Sequence, residues 1–228
     1  MIAGLTSILL PSAYRPEKLK RCLTALYTSD LRSPVEVLVG LMTDDLDSRA
    51  VCSAFKIDSI SLRRREEYPG GAVAGWNSLS AAACGEWLVL YADDLMADPD
   101  WLIEAQAASQ RLGKPGLVGF NDLHSDGRVY ASHFLVHRTF LIEHCGGRLF
   151  PPDYRAWWCD RELSDIAMAA DCYIWADRAR VEHRHYDWDA SLFDQTYADA
   201  KELHNADRQV YERRKAAGFP HDFEPVFA

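Results

Sequence analysis

Glu86-Trp-Leu-Val-Leu-Tyr-Ala-Asp-Asp-Leu95 is the stretch that decides the fold. From Trp87 it is apolar for the length of one buried strand, then stops at two adjacent carboxylates. Asp98-Pro99-Asp100 follows and opens a helix whose apolar face is Trp101, Leu102, Ala105 and Ala108. A buried strand handing over to an amphipathic helix is the unit of an α/β sheet.

Working outward, the same unit recurs. Thr6–Leu10 is a short apolar run closed by Pro11. After the loop Pro11-Ser-Ala-Tyr-Arg15, the chain turns helical from Pro16, with Leu19, Leu23, Leu26 and Tyr27 at three- and four-residue steps. Val35–Val39 predicts a second strand ending near Asp44 and Asp45, and Ile57–Leu62 a shorter third. Gly70 and Gly71 open a helix of small residues running to Ala83, suited to close packing on a sheet. Beyond Gly113 the pattern is less regular and rich in histidine and tryptophan, with a helix expected at 163–170 and a strand at 180–185. Phe193, Tyr197, Ala200, Leu203 and Val210 predict an amphipathic C-terminal helix docked by that apolar stripe.

Composition narrows the function. Acidic residues number 34 against 25 basic ones, a net charge of −9 in 228 residues, which argues against general affinity for nucleic acid or anionic lipid. No apolar run reaches the ~20 residues of a membrane-spanning helix. The six cysteines are scattered without a Cys-x-x-Cys pair, as buried reduced thiols would be. Met1–Pro11 lacks a basic leader and a cleavage site, so a cytoplasmic protein is expected.

Ligands of open α/β sheets bind at the carboxyl ends of the strands. The loops there carry Ser12, Tyr14 and Arg15, then Asp44 and Asp45, then Arg63, Arg64 and Arg65, then Asp93 and Asp94. Carboxylates ending a buried strand suit a hard divalent ion, although they also suit a turn or a helix cap. His183 and His185 alternate with Val181 and are candidate metal ligands, or simply surface histidines. Trp157-Trp158-Cys159-Asp160 reads either as an N-cap or as an aromatic sugar platform with a base at its edge. The arginine run suits phosphate, or is a solvated face.

Taken in order, these residues resemble the family 2 glycosyltransferases of the GT-A fold, from about Thr6 to His185. Ser7–Leu26 is similar to that family's opening βα unit, whose loop contacts the nucleotide. Leu90-Tyr-Ala-Asp-Asp-Leu95 with Pro99-Asp-Trp-Leu102 is similar to the segment around its DxD motif, Tyr91 standing where the first aspartate would be. Asp160 in Cys-Asp-Arg-Glu-Leu163 is similar to the acidic motif that supplies the catalytic base, and His183 in Val-Glu-His to the late metal-ligating histidine. Asp44 lies near the family's base-contacting aspartate, though Gly40-Leu-Met-Thr-Asp44 lacks the usual Asp-Asp-Gly-Ser run. Gly71, Ala74 and Asn77 resemble the small-residue and asparagine pattern beside the donor.

The resemblance implies a mixed sheet flanked by helices and a metal-dependent, inverting transfer of a sugar from a nucleotide-sugar donor to an acceptor hydroxyl. The domain would cover residues 1–189, with a nucleotide-binding half at 1–112, an acceptor half at 113–189 and a helical extension at 190–228. It implies Asp160 as base and Mn2+ or Mg2+ held by Asp93 with His183 or His185. The donor would lie against Pro11, Ser12, Tyr14, Arg15, Asp44, Arg64, Gly71, Asn77, Tyr91, Ala92, Asp93 and Asp94. Trp157 and Trp158 would face the acceptor. Truncation after about Asp189 is expected to spare nucleotide binding and impair transfer. The rival readings are a sugar-nucleotide nucleotidyltransferase, against which the glycine-free loop 11–15 speaks, a two-carboxylate glycosidase, which explains neither the metal-like aspartates nor the first loop, and a non-catalytic carbohydrate-binding protein.

Overall fold

A computed structural model describes residues 1–62 and 71–227. Its strands are β1 (Ile2–Ser12), β2 (Val35–Met42), β3 (Ile60–Leu62), β4 (Gly85–Leu90), β5 (Leu95–Ala97), β6 (Leu117–Asn121), β7 (Phe134–His137) and β8 (Tyr173–His183). The helices are α1 (Pro16–Thr28), α2 (Leu46–Ala54), α3 (Gly71–Ala82), α4 (Trp101–Leu112), α5 (Arg138–His144), α6 (Cys159–Ala169) and α7 (Gln195–Ala216).

Among the described residues the strands form one sheet in the order β3-β2-β1-β4-β7-β6-β8-β5. The first four run parallel, β7 is antiparallel to both β4 and β6, and β5 is antiparallel to β8. The sheet therefore crosses the 112/113 division without a break, through the β4–β7 pairing.

Strand alternation sorts β1 between two cores. Ile8 and Leu10 pack with α1 (Leu19, Leu23, Leu26) and α4 (Trp101, Leu102, Ala105) on one face. Leu9 faces Val73 and Leu79 of α3, Phe140 of α5, Leu163 of α6 and Tyr211 of α7 on the other. A sheet covered by helices on both faces needs strands apolar on both sides, as β1 and β4 are.

The structure departs from the sequence expectations in several places. Tyr27, expected on the apolar face of α1, is 46% exposed. Strand β8 begins at Tyr173 rather than near Arg180 and ends at His183, so His185 lies past the strand. Helix α2, strands β5, β6 and β7 and helix α5 lie outside the sequence expectations, each being short. Cys84 is exposed, while the other five cysteines are buried. Among the described residues no helix is long and apolar enough to cross a membrane.

Candidate active site

The carboxyl ends of β1 and β4 open onto a cleft of about 710 Å3, closed on its other side by the segment before α6, the end of β8 and the start of α7. Asp93 and Asp94 sit at its floor, both buried, and they do different things. Asp93 is fully engaged by the β1 loop: its Oδ2 accepts from Ser12 Oγ at 2.6 Å, and its Oδ1 is 3.0 Å from Arg15 Nη1. Asp94 Oδ2 accepts from Tyr197 OH at 2.7 Å and lies 3.5 Å from His183 Nε2, whereas its Oδ1 is buried with no hydrogen-bond partner. Burial alone would raise the Asp94 carboxyl, but His183 and Tyr197 outweigh it and hold it well below the usual carboxylate range. Burial disfavours the charged His183 ring in turn, and Asp94 more than compensates, raising it. Asp93 is pushed up, chiefly by burial and despite Arg15.

Asp160 faces the same cleft from the first turn of α6. Its Oδ1 accepts from the Arg161 N–H at 2.9 Å, yet burial prevails over this bond and lifts its pKa to about 6. A carboxylate tuned toward neutrality in a cleft is what a general base requires. Trp158, immediately before α6, is in the left-handed region at φ 67° and leaves its buried indole N–H without a partner. Such strain is maintained by surroundings that over-determine it. Here Asp207 of α7 does so, accepting from the backbone N–H groups of Ala156 and Trp157, each at 2.8 Å, while Trp157 Nε1 donates to Ala200 O at 2.6 Å.

Most of the residues expected at the site do line this cleft. These are Pro11, Ser12, Arg15, Gly71, Ala92, Asp93, Asp94, Trp157, Trp158, Asp160, His183 and His185. Gly71, at φ +54°, is required: a Cβ there would run into the carbonyl of Arg155, which the α3 backbone approaches to bond through Val73 N–H.

Four expected residues do not line it. Asn77 spends its side chain on Phe150, donating to the carbonyl at 3.0 Å and accepting from the N–H at 3.1 Å. Tyr91 is wholly buried in the core against Trp101, 5.6 Å between centroids. Tyr14 and Asp44 bond to each other at 2.7 Å on the exposed surface. Arg63, Arg64, Arg65 and Gly70 lie outside the described residues.

The sequence expectations give the C-terminal helix a part in transfer only; the structure also brings its start onto the β1 loop and Asp94. Asp194, its N-cap, is 2.7 Å from both Arg15 and Lys18, whose cationic groups each stand 4.1 Å over the Tyr197 ring. His133, just before β7, also lines the cleft, and burial lowers its pKa to about 3. His185, likewise buried and beside His183, falls to about 4. No periodic pattern singles out Lys18, Asp194 or His133, because they are polar and face inward. Of the expected stripe, Tyr197 is buried, Ala200, Leu203 and Val210 are half-buried and Phe193, before α7, is 47% exposed; Asp207, Tyr211 and Arg214 are buried in addition.

No family model and no curated protein matches the chain. Solved structures do. The chain is similar to TarS of S. aureus, at 14% identity and TM-score 0.60 for TarS 1–349, over 87% of this chain and 63% of that one. It is similar to the mannosyltransferase PcManGT from Pyrobaculum calidifontis in complex with GDP-Man and Mn2+, at 18% identity and TM-score 0.60, over 79% and 56%. It is also similar to glucosyl-3-phosphoglycerate synthase from Mycobacterium tuberculosis in complex with Mg2+ and UDP, at 14% and 0.59, over 82% and 73%. The chain spans 36% of the longer TarS chain. At these identities the likeness concerns architecture: the chain has the GT-A fold, a mixed sheet with flanking helices and a long C-terminal helix.

Proposed function

We propose that this chain is a metal-dependent, inverting glycosyltransferase that moves a sugar from a nucleoside-diphosphate donor to an acceptor hydroxyl. One observation carries the reading: Asp160, with its pKa near 6, and the Asp94–His183 pair line a single cleft. The fold is that of nucleotide-sugar enzymes, and the structures it resembles include complexes with UDP, GDP-Man, Mg2+ and Mn2+.

The donor set fits a divalent cation. Asp94 Oδ1 is a buried carboxylate oxygen without a partner, beside an imidazole, and a mixed N/O pair of this kind suits Mn2+ or Mg2+. The metal role expected of Asp93 thus passes to Asp94, since the Asp93 carboxylate is already ion-paired with the Arg15 cation. When bound, the cation supplies Lewis-acid stabilisation of charge developing on the pyrophosphate. Arg15, ion-paired with Asp93 and Asp194, ties the β1 loop to this side of the cleft, and Gly71 lets the α3 N-terminus pack against the Arg155 carbonyl.

On the acceptor side Asp160 takes the hydroxyl proton as the acceptor oxygen bonds to the anomeric carbon, whose bond to the phosphate oxygen breaks on the opposite face. A single displacement of this kind inverts the configuration. Trp157 and Trp158 bracket the acceptor approach and exclude water. A cytoplasmic setting belongs to the same proposal.

A thermal-shift panel of UDP, GDP, CDP and dTDP sugars, with and without Mn2+, tests it. The correct donor at 100 times its dissociation constant should stabilise the protein by about 2.7 kcal/mol in the presence of metal. Asp94→Asn keeps the bond from Tyr197 but loses the charge, and is expected to weaken metal-dependent donor binding by at least about tenfold. Stabilisation by a free sugar alone, indifferent to nucleotide and metal, would favour a carbohydrate-binding protein instead.

A further inference from the structure

Behind the Asp94–His183 pair lies a second group of potential ligands. Asp122 follows β6, His133 precedes β7 and His183 ends β8, so three neighbouring strands bring them together at one end of the sheet. One ligand atom from each lies within 4.8 Å of the others. The rings of His133 and His183 are 4.8 Å apart between centroids and nearly perpendicular at 81°.

Their backbones are locked to one another. His183 N–H donates to the Asp122 carbonyl at 3.2 Å, and the His133 carbonyl accepts from Phe120 N–H at 3.0 Å. The Asp122 carboxylate is itself aimed, accepting from His124 N–H at 3.0 Å, Ser125 N–H at 2.7 Å and Ser132 Oγ at 2.7 Å. Outer contacts of this kind orient a metal-ligating carboxylate. His133 supplies the independent sign of a missing ligand: it is only 5% exposed, it lines the cleft, and its Nδ1 has no hydrogen-bond partner. A buried ring nitrogen is costly to leave unsatisfied.

We propose that Asp122, His133 and His183 bind a divalent transition-metal ion, making the cation centre beside Asp94 rich in imidazole and selective for Co2+, Zn2+ or Mn2+ over Mg2+. A cation 2.0–2.2 Å from each donor tolerates donor separations up to roughly 4.4 Å, so the observed spread closes with small side-chain movements. Two imidazoles favour the later first-row ions, whereas Mg2+ prefers an all-oxygen shell and gives up its waters reluctantly. The inference rests on the reading that His183 receives a cation, and it adds the ligands that set which cation.

The test is ion binding by the tag-free, chelator-stripped chain without nucleotide. Co2+ titration is followed by its visible absorption, and Mn2+ and Zn2+ by competition with a chromogenic chelator. One ion per chain is expected, undisturbed by a roughly thousandfold excess of Mg2+. His133→Gln and Asp122→Asn should each weaken Co2+ binding by at least about tenfold, with the metal-free melting temperature showing which variant remains folded. Unchanged Co2+ affinity in a folded variant, displacement by Mg2+, or no binding to the parent overturns the proposal. If the variants bind Co2+ normally while Asp94→Asn abolishes metal-dependent nucleotide binding, the three-residue site fails and the transferase reading stands. If the site binds Co2+ and no nucleoside diphosphate stabilises the protein, the site stands and the transferase reading falls.

Discussion

Replacing Asp160 by asparagine is expected to reduce sugar transfer by at least about 10²-fold, the lower end of what a positioned general base contributes. The folded chain should lose nothing. Asparagine still offers an oxygen to the Arg161 N–H, and it removes a carboxylate that the fold holds uncomfortably. With a folded pKa of about 6 against roughly 3.9 in the unfolded chain, the stability linked to this group is fully present below pH ~3.9 and lost as pH rises through 6. At pH 7.5 the charged Asp160 is therefore a cost, and Asp160→Asn should melt at the same temperature as the parent or higher. In the parent, kcat/KM should rise about tenfold per pH unit up to pH 6 and level off above about 7, because the free enzyme's base must be deprotonated. Donor binding should survive the substitution. A variant that is less stable yet fully active would reduce Asp160 to a helix-terminus residue.

Arg214→Met is the second large effect, and it falls on stability. Arg214 of α7 is 4% exposed and reaches Glu162 of α6 at 2.9 Å, while Tyr154 OH donates to the same carboxylate at 2.6 Å. Removing one partner of a buried ion pair leaves the other charge uncompensated, at a typical loss of 3–5 kcal/mol. Urea unfolding should show that loss as a lower midpoint, and adding Glu162→Gln should recover part of it. A loss under about 1 kcal/mol would mean that α7 is held by its other contacts.

The same geometry changes what truncation after Asp189 should do. It would remove Arg214, the Asp207 carboxylate that orders residues 155–157, and the Tyr197 and Asp194 groups that touch Asp94, Arg15 and Lys18. Nucleotide binding and transfer should therefore be lost together, in contrast to the sparing of nucleotide binding that the sequence led one to expect.

What the sequence determined by itself was the part of the molecule governed by local pattern. The apolar runs of β1, β2 and β4, ending in Ser12–Arg15 and Asp93-Asp94, place those side chains at one edge of a parallel sheet, because a buried strand can end only in a loop and its last residues must face outward. Asp160 was legible because a helix start is marked by its own residues. The tertiary structure alone decided the division of labour between Asp93 and Asp94, since identical neighbours differ only in what reaches them: Ser12 and Arg15 for one, His183 and Tyr197 for the other. It also decided that Asn77 and Tyr91 lie outside the cleft lining, and that α7 docks through Tyr197, Asp207, Tyr211 and Arg214. Hydrophobic periodicity reports faces buried by exclusion from water, as it did for Tyr197, whereas Asp207 and Arg214 are buried through hydrogen bonds and ion pairs to Ala156 and Glu162, 51 and 52 residues away in the chain. Such pairings have no local signature, and for the same reason His133 and Asp122 became visible beside His183 only once three strands had brought them together.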